Sequence, residues 1–474
     1  MKHILFFFTF LCISTLSFGQ NLAHVCRLGF DYEISGRYYW GLGKPIVSSI
    51  HLNSPAEKAG LKINDIIERI NGVPTENYYS DAIFAMLQEE KFIKLVVSNL
   101  AYKNKEITFS KDCDLMDAIN EKQMLSAFSF YSLEDVQERG FVCPFKTTAK
   151  QCAEVSFLNY KTFCFSSNLP QGKTDNYLNE QIKAILEKKG LTYNTIRPDL
   201  YVEAIYTYRK NEDYAPTENK ENLPSEWRYN VKTQIFEKLP IYYNPLIHER
   251  NVEQYLTLTI RFIDPKYSTE KEPYAVWECT ANESLANTYS IRNYADIHIP
   301  LMLMQYPYPQ TFEKARFRYF KKKYNYTGIN YDMNNFQQII YVDPVSPASQ
   351  ANIEKGDMIQ KINGIKTIGD PKKLSSSYRL FIDKTMPLRD EKTKYTDING
   401  YEKCMFWDIF SYPKIEEEIR KPEYNSAFSY LFNFEPYINM LSTNIISFEL
   451  KRGKQKFTVE IEPIIMEFNS FENF

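Results

Sequence analysis

The chain has 474 residues, which is room for about three domains at roughly 150 residues each. Its net charge of -2 gives no basic field for nucleic acid or anionic lipid. A hydrophobic content of 44% and an aromatic content of 15% favour packed, β-rich domains.

The first residues have the pattern of a secretion signal. A polar Lys2-His3 precedes an apolar run from Ile4 to Leu16, and Ser17-Phe18-Gly19 supplies small residues before a cut. We therefore expect a signal peptide over residues 1–19 and an exported protein, periplasmic or associated with the outer envelope. The apolar run is too short to span a bilayer comfortably, and Cys26 lies several residues too late for lipidation after that cut.

Seven cysteines remain after the signal, so at least one is unpaired, and Cys143 and Cys152 are the nearest candidates for a bridge. There is no C-x-x-C motif and only four histidines follow the cut, which argues against zinc. The sequence predicts neither a metal nor a cofactor.

The segment Ser54 to Gly72 carries a dense set of local signals. Ser54 is a helix N-cap followed by Pro55, Gly60 suits the C-terminal position of a one-turn helix, and Asn71-Gly72 is a tight-turn dipeptide. These signals predict a strand, a short helix, a strand and a hairpin.

The pattern recurs from Tyr341 to Gly364. Ser346-Pro347-Ala348 repeats the cap, Gly356-Asp357 corresponds to a turn at Asn64-Asp65 and Asn363-Gly364 repeats the hairpin. Ser349 and Asn352 depart from the first copy. Two copies so far apart indicate two domains and exclude a solenoid of contiguous repeats.

On these residues both segments resemble the bacterial PDZ domain, a module that binds extended peptides. The resemblance places one unit at 25–111 and a second at 325–465, the latter with an insertion at about 371–422 and a groove helix near Asn425 to Phe434. It implies a multidomain α+β fold in which two PDZ-like, partly open β-barrels with capping helices flank a middle α/β sandwich domain.

The resemblance also implies a site. A peptide adds as a strand beside one sheet edge, and an apolar-Gly-apolar loop presents N–H groups to its terminal carboxylate. The corresponding positions in the first unit are Leu28, Gly29, Phe30 and Tyr32, with Ala82, Ile83, Met86 and Leu87 on the helix from Ser80 to Glu90. Those in the second are Thr327, Gly328, Ile329 and Tyr331. A helix face such as that of Ile83 and Leu87 belongs more often to a core than to a binding pocket.

Between the units we predict a connector at 112–151, helical from Leu115 to Leu125, and a middle domain at 152–320. The predicted elements of the middle domain are a strand at 155–165, a helix at 174–190, strands at 200–208, 255–264 and 274–280, and a helix at 293–305. The segment from Asn211 to Pro245 is predicted to be an extended loop. This order resembles an uncharacterised domain family of bacterial envelope lipoproteins, which offers no catalytic residue to carry over.

Signals for an enzyme are weak. No G-x-S-x-G or protease nucleophile loop is present, and His248-Glu249 lacks the second histidine of H-E-x-x-H. His298 on an apolar helix is typical of a core, and the acids Asp264, Glu278 and Glu283 are typical of solvated turns and faces. We therefore predict no catalytic residue.

The sequence predicts an exported, non-enzymatic scaffold or adaptor that binds polypeptide C-termini or extended segments by PDZ-type β-augmentation, with no nucleic acid partner and no transmembrane segment. Two alternatives stay open. One is a regulatory or substrate-recognition subunit of an envelope protease, and the other is a structural protein whose PDZ units dock intramolecularly.

Overall fold

A computed structural model describes residues 24–50, 54–115, 118–121, 138–166, 172–216, 226–242, 249–269, 272–309, 314–332, 334–366 and 445–473, with short stretches between 370 and 423. The predicted signal peptide and the predicted groove helix from Asn425 to Phe434 lie outside these residues. In the described part, no helix is both long enough and apolar enough to cross a membrane.

The N-terminal unit (residues 24–115) is built on the sheet β2-β3-β4-β6-β7, with β5 beside β4. Separately, β1 pairs with β8 and places Cys26 opposite Cys113. Its elements are β1 (His24–Arg27), β2 (Phe30–Ile34), β3 (Pro45–Ile50), α1 (Pro55–Lys58), β4 (Ile66–Ile70), β5 (Val73–Pro74), α2 (Ser80–Glu89), β6 (Phe92–Ser98), β7 (Lys105–Ser110) and β8 (Asp112–Leu115).

The predicted cap of α1 is present. The Ser54 hydroxyl accepts a hydrogen bond from the Glu57 amide at 3.1 Å, Pro55 opens the helix, and Gly60 follows it with φ +88. These features end the helix after one turn, because glycine adopts the left-handed region without strain.

Successive residues of β3 and β4 face opposite sides of the sheet, as in any strand. Val47 and Ile67 pack into the unit's own core, which also contains Ile83 of α2. Ile46 and Ile66 point the other way and belong to the core of the middle domain. The N-terminal unit thus meets the middle domain with the face opposite α2.

Asp65, in the turn before β4, is fully buried and accepts hydrogen bonds from the Lys62 amide (2.9 Å), Asn99 Nδ2 (2.7 Å) and the Tyr102 hydroxyl (2.8 Å). Burial raises the pKa of this carboxyl to about 6. The equivalent Asp357 instead accepts a hydrogen bond from Arg452 Nε at 2.7 Å. Burial alone would raise the pKa of Asp357, but the hydrogen bonds and the charge of Arg452 outweigh burial and lower it.

Asp65→Asn is expected to remove a pH-dependent contribution to the free energy of unfolding. The folded pKa lies above the unfolded one, so the contribution of Asp65 is present below about pH 4 and is lost as the pH rises through about 6. The unfolding free energy of the wild type minus that of the variant should fall by about 2–3 kcal/mol between pH 4 and pH 7 in urea denaturation. A constant or rising difference would contradict the assignment.

The middle domain (residues 145–309) is a mixed sheet, β11-β19-β18-β14-β12-β13, with β17 on β19 and with two helices packed against each other. Its elements are β11 (Phe145–Ala149), β12 (Thr162–Phe165), α3 (Lys173–Lys188), β13 (Thr192–Tyr193), β14 (Leu200–Lys210), β15 (Glu226–Asn230), β16 (Ile235–Leu239), β17 (Ile241–Tyr242), β18 (Gln254–Ile263), β19 (Ala275–Leu285) and α4 (Ile291–Leu303). Single turns of 3-10 helix lie at Phe157–Asn159 and Glu249–Asn251.

Both predicted helices and the three longer strands are present within a few residues, although β19 runs on to Leu285. The first predicted strand is shorter, because the 3-10 turn occupies its middle. The predicted loop from Asn211 to Pro245 is wrong for its described part, since β15 and β16 form a hairpin there. Aromatic residues at alternate positions, Trp227 and Tyr229, suit that hairpin.

The N-terminal unit and the middle domain share one hydrophobic core. Trp40, 1% exposed, belongs to it and donates its indole N–H to the Asn64 carbonyl at 2.9 Å. The Asn64 side chain in turn reaches the carbonyls of Met304 and Tyr306, each at 3.3 Å. The turn that sequence patterns place before β4 therefore also fastens two domains together.

The C-terminal unit (residues 327–461) has the sheet β28-β27-β23-β22-β21, with β24 on β23, and repeats the strand order of the N-terminal unit. Its elements are β21 (Ile329–Asp332), β22 (Asn335–Val342), α5 (Pro347–Gln350), β23 (Met358–Ile362), β24 (Ile365–Lys366), β25 (Lys394–Thr396), β26 (Glu402–Cys404), α6 (Tyr412–Ile419), β27 (Ile446–Arg452) and β28 (Gln455–Ile461), with a 3-10 turn at Met386–Leu388. In the described part of the chain these sheets are open, not closed barrels.

A further sheet joins three segments that are distant in sequence. Strand β20 (Ala315–Tyr326) lies between β10 (Glu138–Cys143) and the final strand β29 (Ile464–Asn473). The remaining strand, β9 (Ala118–Asn120), pairs with β21. The helix predicted from Leu115 to Leu125 is therefore wrong at its start, where Leu115 ends β8 and β9 is extended, whereas Glu121, the next described residue, is helical.

Candidate functional site

The N-terminal groove is the space between β2 and α2. Phe30, Ile83 and Leu87, predicted to line it, are at most 3% exposed and form the core beneath it. Leu28, Tyr32 and Met86 are half-buried and pack on that core, and Ala82 is half-buried on α2. The half-buried members supply the apolar surface that a peptide side chain would contact.

Gly29 shapes the loop before β2. Its φ is +78, and a Cβ at this position would lie 2.6 Å from Ser54 Cβ. The loop therefore turns in the left-handed region while touching the cap of α1, which only glycine permits. Gly328 repeats both features: its φ is +85, and a Cβ added at Gly328 would lie 2.2 Å from Ser346 Cβ.

Two side chains hold the ends of α2 by hydrogen bonds. The Tyr32 hydroxyl donates to the Ser80 carbonyl at 3.1 Å and ties β2 to the start of the helix. Lys111 Nζ donates to the carbonyls of Leu87 and Gln88, each at 2.9 Å, at the helix end where a cation is favoured. The bond from Tyr32 thus joins the two walls of the groove, and Lys111 anchors the far end of α2.

The outer edge of β2 has no strand partner among the described residues, where β2 pairs only with β3. The face that docks on the middle domain lies on the other side of the sheet. As far as the described residues extend, the N-terminal groove is therefore open to an added strand.

The C-terminal groove, at the outer edge of β21, is different. Strand β9 pairs antiparallel with β21, placing Asn120 opposite Asn330, Ile119 opposite Tyr331 and Ala118 opposite Asp332. In the sheet order β9 takes the place beyond β21 that no described strand takes beyond β2. The chain itself supplies the added strand.

The next residue, Glu121, enters the loop that precedes β21. Its carboxylate accepts hydrogen bonds from the Thr327 amide at 2.9 and 3.0 Å, from the Gly328 amide at 3.3 Å, and from the Thr327 hydroxyl. Glu121 is 8% exposed, and burial raises its pKa to about 7. Of the predicted residues, Thr327 and Gly328 thus hold a side-chain carboxylate, Tyr331 pairs with β9 along the backbone, and Ile329 is buried.

Glu121 was not predicted from the sequence. It lies 206 residues before Thr327, in a segment with weak local signals, and no spacing rule links the two positions. The available signal is indirect: once Thr327-Gly328 is taken as a carboxylate-binding loop, any acidic residue in an extended connector becomes a candidate.

The middle domain contains a buried polar cluster. Tyr294 stacks on His298 with ring centroids 3.8 Å apart, and its hydroxyl donates to Glu283 at 3.1 Å, close to Arg228 and Cys143. Burial lowers the pKa of His298 to about 3 and raises that of Glu283 to about 7 and that of Cys143 to about 12. A neutral imidazole and a thiol without solvent access suit a structural role better than catalysis.

The acids Asp264, Glu278 and Glu283 do not meet, so they form no pair of carboxylates for acid–base chemistry. Glu278 pairs with Arg261 at 2.6 Å, Glu283 lies in the buried cluster, and Asp264 accepts a hydrogen bond from the Tyr160 hydroxyl at 2.7 Å. Among the described residues no group of His, Cys, Asp and Glu is arranged to hold a metal ion, and Cys143 and Cys152 are free thiols rather than the bridge considered above.

Comparison with protein families agrees with these two kinds of domain. The PDZ domain model matches residues 46–97, and the model described as "Domain of unknown function (DUF4136)" matches residues 147–308. No curated protein matches the chain.

Among solved structures, a PDZ domain protein from Parabacteroides distasonis is 41% identical, with a TM-score of 0.68, over 95% of this chain and 99% of that one. A PelC dodecamer from Paraburkholderia phytofirmans covers 35% of this chain and 95% of its own at 12% identity, but a TM-score of 0.18 supports no inference. An identity of 41% across nearly the full length of both chains is decisive, and the chain belongs to the family of PDZ domain proteins that the Parabacteroides structure represents.

Proposed function

We propose that this protein is a peptide-binding scaffold whose N-terminal groove takes extended polypeptide C-termini by β-augmentation. The observation that carries the proposal is the outer edge of β2 beside α2, which no described strand pairs and which follows a loop whose glycine has φ +78. A strand added there gains backbone hydrogen bonds from β2, and its terminal carboxylate meets the loop.

The proposal also covers the domain organisation and the location of the protein. Both the N-terminal and the C-terminal unit are PDZ domains, within the predicted bounds 25–111 and 325–465, and they flank a middle domain at 152–320. The protein is exported to the periplasm or the outer envelope and acts without catalysis. The shared strand order, the capped one-turn helices and the matching glycines support this organisation.

The lining of the N-terminal groove indicates the ligand. Leu28, Tyr32 and Met86 provide an apolar surface for the last side chain of a peptide. Burial raises the pKa of Tyr32 and the charge of Asp81 adds to the shift, so Asp81 lies close to this phenol at the start of α2. We therefore expect an apolar C-terminal residue with a basic residue a few positions before it.

A library of random peptides with free C-termini tests the proposal against the full chain. Met86→Lys is expected to weaken the selected peptides at least tenfold, because it places a charge in the apolar lining. Ala85→Lys adds the same charge to the exposed side of α2 and should leave affinity unchanged. A library without binders, or equal affinity for the Met86→Lys chain, would refute the proposal.

A further inference from the structure

We propose that the C-terminal groove is a second binding site kept closed by the chain itself. Residues 118–121 are its ligand in cis, and its external ligand is an extended polypeptide segment that displaces them and presents a carboxylate to Thr327 and Gly328.

The contact has the geometry of a bound ligand. Strand β9 runs antiparallel to β21, so its C-terminal end lies at the loop, where a bound chain end would lie. Glu121 then delivers a side-chain carboxylate to two consecutive backbone amides and a hydroxyl. Because the chain continues beyond Glu121, this loop accepts a carboxylate that is not a chain terminus.

Two features make the cis contact suitable for release. The paired strand has only three residues, so few ladder hydrogen bonds hold it. Burial also raises the pKa of Glu121 from 4.5 to about 7, which means that the ionised carboxylate loses much of the benefit of its hydrogen bonds to desolvation. An external segment therefore competes with a weak intramolecular ligand.

The N-terminal unit provides the internal comparison. Its loop at Gly29 has the same backbone conformation and the same contact with a capping serine. In the described part of the chain no strand lies at the outer edge of β2, whereas β9 lies at the outer edge of β21. Similar grooves in one chain are thus in two states, one open and one filled.

A labelled synthetic peptide with the sequence of residues 114–121 and an amidated C-terminus is the probe, since its last carboxylate is then a glutamate side chain. By fluorescence anisotropy we expect the full chain with Glu121→Ala to bind it at least tenfold more tightly than the wild type. Glu460→Ala, at an exposed position on β28 at the opposite sheet edge, is the matched control and should behave as the wild type. Equal affinity in the wild type and Glu121→Ala, or no binding to Glu121→Ala, would overturn the proposal.

Hydrogen exchange provides a second readout that does not depend on the probe. The amides of Thr327 and Gly328 should exchange slowly in the wild type and at least tenfold faster in Glu121→Ala, while β23 and β27 stay protected and show that the unit is folded. Unchanged exchange at both amides would refute the cis contact. Because both experiments report on the C-terminal unit alone, Met86→Lys should leave both results unaltered. A negative result for the C-terminal groove can therefore be distinguished from a negative result for peptide binding in the N-terminal groove.

Discussion

Trp40→Ala is expected to lower the free energy of unfolding by about 3–5 kcal/mol, the usual cost of removing a large buried aromatic side chain. Trp40 is 1% exposed in the core shared by the N-terminal unit and the middle domain, and its indole N–H bonds to the Asn64 carbonyl at 2.9 Å. The change therefore leaves a cavity between two domains and removes a partner of the turn that fastens them. We expect the N-terminal unit to become mobile relative to the middle domain.

Urea denaturation measures the loss of stability, and limited proteolysis between the two domains measures their uncoupling. Tyr38→Ala is the matched control, because Tyr38 is an aromatic residue of the same loop but is 57% exposed. It should change stability by less than about 0.5 kcal/mol. If Trp40→Ala behaves like Tyr38→Ala, the shared core does not hold the two domains together.

Gly328→Ala is expected to destabilise the C-terminal unit by about 2–4 kcal/mol, since it combines backbone strain with overpacking. The φ of +85 is unfavourable for alanine, and the new Cβ would lie 2.2 Å from Ser346 Cβ. Relief of that contact requires the loop to move away from α5, which takes the amides of Thr327 and Gly328 away from Glu121.

Gly364→Ala separates the two causes. Its φ of +77 imposes similar strain, but a Cβ at Gly364 meets nothing within 4 Å. This control should cost only about 1–2 kcal/mol, the strain alone. Equal thermal and urea stability of the two variants would show that the close approach to Ser346 is not a constraint.

Local chemistry predicted much of the scaffold. Ser54 and Ser346 cap their helices because an N-cap depends on the next three residues alone, and α3 follows from the apolar spacing of Leu178, Ile182 and Leu186. Likewise, the strand order of the two units follows once the repeated motif is recognised, because each copy carries its own turns.

The features that the sequence did not predict depend on contacts between distant parts of the chain. Ile83 and Leu87 have the spacing of both a core and a pocket, and only the packing of α2 on the sheet assigns them to the core. The strand β9 has no strong propensity of its own and is extended because β21 offers it an edge. The role of Glu121 is of the same kind, since its partners are distant in sequence.

The alternatives left open by the sequence are narrowed by these contacts. Intramolecular docking is present in two forms: the N-terminal unit packs on the middle domain through the face opposite its groove, and the C-terminal groove holds residues 118–121. Membership of a PDZ domain family points to a binding domain rather than to catalysis. An association with a protease has no support in the geometry of the described residues.

Amide hydrogen exchange on the full wild-type chain, with and without a peptide selected from the C-terminal library, tests the central claim that one groove is open and the other is filled. We predict that outward-facing amides of β2 exchange rapidly and become slow when the peptide binds, whereas Thr327 and Gly328 are slow in both conditions. Slow exchange along the outer edge of β2 without peptide, or rapid exchange at Thr327 and Gly328 that the peptide slows, would contradict the claim.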